Sequence, residues 1–388
     1  MKLKVDSFLR DVQRRGDVAV RAALRRFDGV DLVPSAWKIP LSQAKDALKN
    51  LPKNRRKTLM ECAERIRSFH AAEKRHGPKS WRERVGGTVL GQDVRPIESV
   101  GAYVPGGRFA YPSTVLMTCI PARVAGVGRV VVCTPPKHLT AEVLAAVALA
   151  DADELYQIGG VAAVGAMAYG TKTVPSVDLI VGPGGAWVTE AKRQVFGSVG
   201  IDMLAGPSEI VILADGSVPT EWLAADLMAQ SEHDPLARAT LISLDARVLS
   251  AVRQAVDPAY RGQCRFLKVR NWTEAVETAN RLAPEHLALA VARPAPFVPR
   301  LRNAGAIFVG AASPVAAGDY WAGPSHVLPT ARSARFSSGL SVQTFLKRTS
   351  VIEISKRTMG KAARPISLLA EAEGLRHHAR SAGLRGTL

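Results

Sequence analysis

From residue 130 onward, short apolar runs alternate with longer segments in which apolar residues recur every three or four positions. The short runs are typical of buried strands, and the longer segments are typical of helices. The predicted strands lie at residues 130–133, 155–158, 179–181, 210–214, 240–244, 264–269, 286–291 and 306–309. The predicted helices between them include residues 141–150, 186–196, 221–231 and 273–282.

This alternation predicts an α/β protein with parallel sheets, because consecutive parallel strands need a crossover helix between them. The N-terminal third is predicted to be helical, with spaced apolar residues at 5–27 and 41–73. Functional loops of α/β folds collect at the carboxyl ends of the strands, and we expect the site there. A chain of 388 residues, 47% of them hydrophobic, is long for one core and predicts two lobes.

The four cysteines are Cys62, Cys119, Cys133 and Cys264, and they are far apart with no C-x-x-C spacing. This usage predicts a reducing, cytoplasmic setting and disfavours a metal bound by thiolates. The first residues lack the apolar core of a signal peptide, and no run approaches the roughly 20 apolar residues of a membrane helix. We therefore expect no membrane association.

The net charge of +18 is concentrated at the two ends of the chain. Residues 1–90 carry 22 basic and 10 acidic residues, residues 331–388 carry 11 and 3, and the middle carries 19 and 21. Aromatic residues are not interleaved with the basic ones, as they would be in a base-stacking surface. We expect solvated helical surfaces that attract polyanions weakly at low salt, and no specific nucleic-acid site.

Metal-binding residue types are scattered over the second half of the chain, at Gln230, His233, Asp319 and His378. Oxygen and imidazole donors without thiolate suit zinc or another divalent first-row ion. The three-residue spacing of Gln230 and His233 fits one face of a helix, although an ordinary polar helix face has the same spacing. The spacing therefore allows a metal site without requiring one.

A carboxylate and an imidazole are adjacent at Glu285 and His286, directly after Pro284. Such a pair is suited to proton transfer beside a metal that polarises a hydroxyl or a water. A proline in this position also commonly starts or ends an element, so the pair alone leaves a structural role open.

Glycine-rich loops lie at residues 103–107, 159–160, 182–185 and 205–209, at points where a strand should turn towards a helix or another loop. Glycine there lets the backbone approach a ligand and adopt positive φ. The loops contain neither the G-x-G-x-x-G dinucleotide fingerprint nor a phosphate loop ending in G-K-[ST]. They predict tight turns or, because four occur in one region, a cofactor or substrate cleft.

Longer motifs at these positions resemble the histidinol dehydrogenase family in order and spacing over nearly the whole chain. They are V-G-A-Y-V-P-G-G (100–107), Y-P-S-T-V-L-M (111–117), V-D-L-I-V-G-P-G (177–184), V-T-E-A-K-R-Q-V (188–195), I-D-M-L-A-G-P-S-E (201–209), Q-S-E-H (230–233), P-E-H-L (284–287), G-D-Y-W-A-G-P-S-H-V-L-P-T (318–330) and F-S-S-G-L-S-V (336–342). The chain starts some tens of residues later than is usual in that family.

The resemblance implies two α/β lobes similar to the aldehyde dehydrogenase fold. Residues 1–102 with 210–339 would form the first lobe, and residues 103–209 would form the second lobe, on the NAD side. A small helical C-terminal segment, residues 340–388, would reach the partner subunit of a homodimer.

The resemblance also implies an activity, the oxidation of L-histidinol through L-histidinaldehyde to L-histidine in histidine biosynthesis, with two NAD per turnover and one zinc per site. The zinc ligands would be Gln230, His233, Asp319 and the partner subunit's His378. The substrate pocket would be formed by the ligands together with Ser208, His286, His326 and Glu373. His286 would accept the hydroxyl proton in the first oxidation, and Glu285 would activate water for the second.

Two departures from the family pattern fall on the cofactor side. Tyr103 is retained at a family NAD contact, but Ala162 stands where the family has Gln, and Gly185 stands where it has Asn. Losing two neutral hydrogen bonds weakens binding by about 1–3 kcal/mol in total, which raises the NAD requirement about tenfold to a hundredfold. We therefore expect a working enzyme with weak NAD affinity.

Two alternatives remain open at this point. One is a divergent paralogue that oxidises another amino alcohol or uses another nicotinamide cofactor. The other is a zinc-binding dimer without redox activity that binds nucleic acid through its basic ends. The retained pair of Glu285 and His286 disfavours the second, because a structural zinc site needs no acid/base pair.

Overall fold

The computed structural model describes residues 1–106 and 110–387. Gly107, part of the first glycine-rich loop, lies outside the described residues. The helices are α1 (Lys2–Arg15), α2 (Asp17–Ala23), α3 (Leu41–Asn50), α4 (Lys53–His76), α5 (Pro112–Ala125), α6 (Ala141–Leu149), α7 (Gly160–Tyr169), α8 (Ala186–Val195), α9 (Thr220–Ser231), α10 (Ala246–Ala255), α11 (Trp272–Leu282), α12 (Val315–Tyr320), α13 (Lys356–Ala372) and α14 (Arg376–Gly383). The strands are β1 (Lys38–Ile39), β2 (Trp81–Val85), β3 (Thr88–Pro96), β4 (Ser99–Tyr103), β5 (Arg129–Cys133), β6 (Glu154–Tyr156), β7 (Leu179–Val181), β8 (Gly200–Ile201), β9 (Glu209–Ala214), β10 (Arg238–Ser243), β11 (Cys264–Lys268), β12 (His286–Ala290), β13 (Ala306–Val309) and β14 (Leu346–Ile354).

The larger compact unit comprises residues 1–75 and 97–345 and contains two sheets. One sheet has the strand order β1-β6-β5-β4-β7-β8, and its pairs are parallel except the antiparallel pair of β1 with β6. The other has the order β11-β10-β9-β12-β13 and is wholly parallel. The predicted α/β class with parallel sheets is thus confirmed, and the helical N-terminal third is confirmed as α1 to α4.

The eight strands and four helices named from the periodicity are each present within a few residues of their predicted bounds. Their apolar runs lie in the cores, and β7 and β12 are buried along their whole length. Side-chain caps start helices α6, α10, α11 and α13. Thr140 accepts from the Val143 N–H before α6, and Asn271 accepts from the Glu274 N–H before α11.

The smaller compact unit comprises residues 76–96 and 346–388. Its antiparallel sheet has the order β14-β3-β2, and α13 and α14 pack against each other through small residues. The helical C-terminal segment is thus present from Lys356 onward, but a nine-residue strand precedes it. This strand was not predicted from the sequence, because most residues of β14 are exposed and it lacks a continuous apolar run.

Strand β4 runs through the predicted lobe boundary between residues 102 and 103, and it lies at the centre of the six-stranded sheet. Strand β1 belongs to the same sheet, although the sequence analysis places its residues in the other lobe. The exact division into lobes therefore stays a prediction. From β4 the chain builds β5 and β6 on one side and then crosses to β7 on the other. This reversal creates a crevice at the carboxyl ends of β4 and β7, where ligands of open α/β sheets bind.

No helix among the described residues is long and apolar enough to cross a membrane.

Candidate functional site

The adjacent carboxyl and imidazole groups lie at the start of a strand. Helix α11 ends at Leu282, Ala283 adopts a left-handed conformation with φ 46°, and Pro284 leads into β12. Glu285 and His286 therefore lie at the amino end of β12, and Ser208 and Glu209 lie at the amino end of the neighbouring β9. These motifs lie where their strands begin. The expectation that the whole site lies at the carboxyl ends of strands is therefore wrong for this sheet.

Glu285 is almost completely enclosed. Its Oε2 accepts a hydrogen bond from the Glu209 backbone N–H at 3.0 Å, and the Ser208 hydroxyl also hydrogen-bonds to this carboxyl group. Burial raises the pKa of Glu285 to about 8, opposed by those two hydrogen bonds and assisted by the negative charges of Asp319 and Glu209. A cation bound beside Asp319 would favour the ionised carboxylate, the form that accepts a proton.

His286 is buried next to this carboxyl group, with its Nδ1 3.7 Å from Glu285 Oε2. Its ring centroid lies 5.8 Å from that of Phe308, and its Nδ1 has no hydrogen-bond partner among the described residues. Burial lowers the pKa of His286 to about 4, with the charge of Asp319 opposing the shift. The imidazole is therefore neutral at pH 7 and able to accept a proton.

Gln230 and His233 are neighbours, but they do not share the helix face that their spacing fits. Gln230 lies in the last turn of α9, but the helix ends at Ser231, and His233 lies in the turn that follows. The helix stops here because Pro235 disfavours a helical conformation of Asp234, whose side chain instead accepts from the Leu236 N–H at 2.7 Å. The prediction that both residues share one helix face is therefore wrong, although they remain neighbours.

Asp319, on α12, and His326, in the loop after it, complete a cluster with His233. His326 Nδ1 lies 3.8 Å from Asp319 Oδ1, and its Nε2 lies 3.3 Å from the Thr114 hydroxyl. Burial lowers the pKa of His326, with opposition from Asp319. Asp319 and His233 interact electrostatically with both His286 and His326, so two of the predicted ligands lie near the predicted base His286.

A cleft of about 760 Å³ opens beside this cluster. His233, Asp319 and Tyr320 lie on its wall. Residues of α4 and α5, among them Leu59, Ile66, Leu116 and Met117, line it with apolar surface. Its volume lies within the range of small-molecule binding sites.

Within residues 1–106 and 110–387 the chain forms no group of three or more His, Cys, Asp or Glu side chains able to hold a metal. The predicted donor set fits this result, because one chain contributes His233 and Asp319 to the cleft and adds only the amide of Gln230. The amide Nε2 of Gln230 is buried without a hydrogen-bond partner among the described residues. A metal would be bound by Oε1 of this amide, because the Nε2 group only donates hydrogen bonds, and an amide oxygen, an imidazole and a carboxylate fit zinc with one further ligand from elsewhere.

The remaining predicted residues, Glu373 and His378, lie in the smaller unit. Glu373 follows the last residue of α13, and His378 lies in the first half of α14.

The predicted cofactor residues lie around the crevice of the six-stranded sheet. Tyr103 ends β4, and its buried hydroxyl accepts from the Gly160 N–H at 3.2 Å, at the start of α7. Burial raises the pKa of Tyr103 to about 12. Ala162 is buried on α7, and Gly185 precedes α8 with open space around the position of a Cβ. Ala162 and Gly185 thus lie at the amino ends of α7 and α8, near the reversal of strand order.

Sequence reasoning missed several residues that shape the site. Thr114 contacts His326, Glu209 contacts Glu285 through its backbone, and Phe308 packs on His286. The Phe308 ring also accounts for the glycine at position 318, because a Cβ there would lie 2.7 Å from that ring. Each of these contacts joins residues distant along the chain, so the spacing of residues in the sequence carries no signal for them.

Comparison with known proteins gives a consistent result. A family model described as histidinol dehydrogenase matches residues 1–386. The histidinol dehydrogenase of Aromatoleum aromaticum is 48% identical over 98% of this chain and 90% of its own length. The crystal structure of histidinol dehydrogenase from Elizabethkingia anophelis superposes with a TM-score of 0.90 at 31% identity, covering 98% of this chain and 91% of that one.

A more distant likeness concerns the fold alone. An acetylating aldehyde dehydrogenase from Geobacillus thermoglucosidasius superposes with a TM-score of 0.50 at 12% identity, covering 91% of this chain and 98% of that one. The predicted similarity to the aldehyde dehydrogenase fold is thereby confirmed.

Proposed function

The chain belongs to the histidinol dehydrogenase family, and we propose that it oxidises L-histidinol through L-histidinaldehyde to L-histidine, with one zinc per site and NAD as the oxidant. The observation that carries the proposal is the juxtaposition of a buried neutral imidazole, His286, with the Glu285 carboxyl group beside His233 and Asp319. A dehydrogenase that acts on an alcohol and then on an aldehyde needs a base for each oxidation, and the two adjacent groups supply them.

The zinc would be held by Gln230, His233 and Asp319, with His378 of the partner subunit as the fourth ligand. When bound, zinc supplies positive charge that binds the amine and imidazole of the substrate, and NAD supplies the acceptor for one hydride in each oxidation. Ser208, His326 and Glu373 would line the pocket around the substrate. Together these residues fix the orientation of the alcohol, which lowers the entropic part of the barrier.

Two adjacent side chains carry out the proton transfers. His286 accepts the hydroxyl proton of the alcohol, since its imidazole is neutral at pH 7 and Nδ1 has no partner among the described residues. Glu285 accepts a proton from the water that adds to the aldehyde. The Glu209 N–H and the Ser208 hydroxyl hold this carboxylate in place, so that it needs no reorganisation when it reacts.

The proposed NAD site is the crevice at the carboxyl ends of β4 and β7, around Tyr103, Ala162 and Gly185. The strand reversal supports this site independently of the motifs. The absence of amide side chains at 162 and 185 supports weak NAD binding. It is also the observation that favours the alternative of a paralogue with another amino alcohol or another nicotinamide cofactor.

We further propose a homodimer in which the C-terminal segment of each subunit completes the other subunit's site. Helices α13 and α14 bury alanines between them but expose large apolar side chains. These side chains are Ile366, Leu368, Leu369, Leu375 and Leu384. Clustered exposed leucines mark a protein interface, and the apolar cleft beside His233 and Asp319 is a suitable place for such a segment.

The proposed setting is the cytoplasm. The four cysteines, all of them unpaired thiols, support a reducing compartment. We propose no specific nucleic-acid partner, since the basic residues of both ends are spread over helices and strands rather than interleaved with aromatic rings.

The proposal is tested by the absorbance of NADH formed by zinc-loaded protein with L-histidinol over a wide range of NAD concentrations. We expect two NADH per histidinol, appearing only at high NAD. No NADH at any concentration with histidinol, but formation with another amino alcohol or with NADP, would replace the proposal with the paralogue. No NADH with any of these, together with salt-dependent binding of RNA, would support the redox-inactive alternative.

Restoring the two missing amides should strengthen NAD binding. We expect Ala162→Gln with Gly185→Asn to lower the dissociation constant for NAD about tenfold to a hundredfold, because two hydrogen bonds are regained. The open space around Gly185 admits the Asn, whereas the buried position of Ala162 requires the Gln to extend into the crevice. Calorimetric titration with NAD provides the measurement.

The matched control is Gly262→Asn, at a glycine that also has open space around it but lies before β11. It should leave NAD binding unchanged. An unchanged dissociation constant in the double variant would mean that this pocket binds NAD through other groups.

A further inference from the structure

A lysine and an aspartate form an ion pair beneath the glycine loop at residues 182–185. The side chains of Lys192, on α8, and Asp202 are in direct contact, and they are 2% and 0% exposed. Taking two charges out of water is unfavourable unless their remaining hydrogen-bonding capacity is met. Neither the zinc ligands nor the proton-transfer residues involve this pair, so its burial has another basis.

The pair holds both polar groups of one backbone residue. Lys192 Nζ donates to the Gly182 carbonyl at 2.9 Å, and the Gly182 N–H donates to Asp202 Oδ2 at 2.7 Å. The Met203 N–H donates to Asp202 Oδ1 at 2.6 Å. The two charges therefore connect the turn after β7 to the segment that follows β8.

The backbone at Gly182 leaves the turn little freedom. Its φ is 108°, and a Cβ at this position would lie 2.2 Å from the Tyr103 carbonyl oxygen. Only glycine fits, and the turn lies directly against the end of β4. The ion pair thus fixes the turn at the point where the strand order reverses.

Helix α8 also contacts the segment that precedes Glu209. The Thr189 hydroxyl donates to the Ala205 carbonyl at 2.8 Å and lies 3.2 Å from the Gly184 carbonyl. Four residues after Ala205, the Glu209 N–H binds Glu285. Helix α8 therefore contacts both the cofactor loop, residues 182–185, and the substrate loop, residues 202–209.

We propose that the Lys192–Asp202 pair is a positioning device that fixes the cofactor loop and the substrate loop relative to each other before ligands bind. This inference rests on the proposed function, in which the cofactor loop contacts NAD. A loop that is ordered in advance binds its ligand without losing further conformational entropy. The pair itself touches neither substrate nor cofactor, so it acts through the Gly182 turn.

The test replaces both charges at once, in a Lys192→Met/Asp202→Leu double variant. The single change Lys192→Met would leave a buried carboxylate unpaired, whereas an apolar pair of similar volume commonly preserves folding. The matched control is Arg193→Met, which removes the next residue of the same helix from a more exposed pair with Glu190. Trp187, partly exposed at the start of α8, provides a fluorescence signal for NAD titration.

We expect the double variant to raise both the dissociation constant and the KM for NAD about tenfold to a hundredfold. Zinc content and the KM for histidinol at saturating NAD should change less, and Arg193→Met should resemble the original protein. A Lys192→Gln/Asp202→Asn variant, whose amides can replace the hydrogen bonds, should regain most of the NAD affinity.

Two results would overturn the inference. A folded double variant with unchanged NAD affinity would leave the pair no positioning role, and a double variant that cannot fold would assign the pair to stability alone. Failure of the proposed function is distinguishable, because the unmodified protein would then show no NAD binding at all.

Discussion

The His286→Asn variant is expected to oxidise histidinol about 10²- to 10⁴-fold more slowly than the unmodified protein, the usual contribution of a general base. His286 is buried and neutral, with Nδ1 3.7 Å from Glu285 Oε2. Asn is polar and of moderate size but cannot accept a proton at neutral pH. The alcohol would then lose its proton without a positioned base, and the first NADH would form slowly.

The measurement is the rate of the first NADH in a single turnover, with zinc content and thermal stability determined on the same samples. We expect both of the latter to be unchanged, since His286 is not a predicted zinc ligand. Replacement of His76, an exposed histidine at the end of α4, serves as the control. Full activity in His286→Asn would refute the assignment of His286 as the base.

Mixed dimers of two inactive variants are expected to regain activity. His378→Ala and Gln230→Ala should each lose zinc and activity as homodimers, because every site lacks one ligand. In a heterodimer of the two, one site lacks both ligands, whereas the other combines the intact Gln230 of one chain with the intact His378 of its partner. We therefore expect about half of the zinc and half of the activity of the original dimer.

The measurement is zinc content and NADH formation of heterodimers isolated with two different affinity tags. If Gln230 and His378 of one chain served the same site, each site would lack one ligand and nothing would be restored. Purified heterodimers without activity would therefore contradict the shared site. His377→Ala, at the neighbouring position on α14, is the control and should keep both zinc and activity.

Periodicity succeeded for most strands that are buried on both faces, but it missed β4, which is buried and central in its sheet. The run that became β7 is apolar throughout, and the run that became β12 is apolar except for His286, so a purely local pattern is enough to identify them. It also failed for β2, β3 and β14. Most residues of β2 and β14 are exposed, those of β3 are mostly half-buried, and all three strands include charged residues. Strands of this kind are stabilised by pairing with each other, as in the register of Ser350 with Gln92, and pairing between distant segments leaves no local pattern.

The candidate site was predicted in part. The motif P-E-H-L identified the adjacent pair Glu285 and His286, and the tertiary structure places His233, Asp319 and His326 near them. The three-residue spacing of Gln230 and His233 wrongly suggested one helix face, since helix α9 ends at Ser231, as its apolar pattern predicted, and His233 lies beyond it. The position of the site in the five-stranded sheet was also predicted wrongly. The general rule places functional loops after the carboxyl ends of strands, whereas these motifs lie at the amino ends of β9 and β12.

The sequence by itself determined which residue types are available, the alternation of strands and helices, and the family to which the chain belongs. These follow from local patterning and from motif order, which are linear properties of the chain. Only the tertiary structure decided that Lys192 and Asp202 are buried together beneath Gly182, that Phe308 covers His286, and that burial shifts the pKa values of Glu285 and His286 in opposite directions. The physical reason is that burial and hydrogen bonding depend on neighbours in space, and desolvation disfavours the charged form of either group, which raises the pKa of an acid and lowers that of a base.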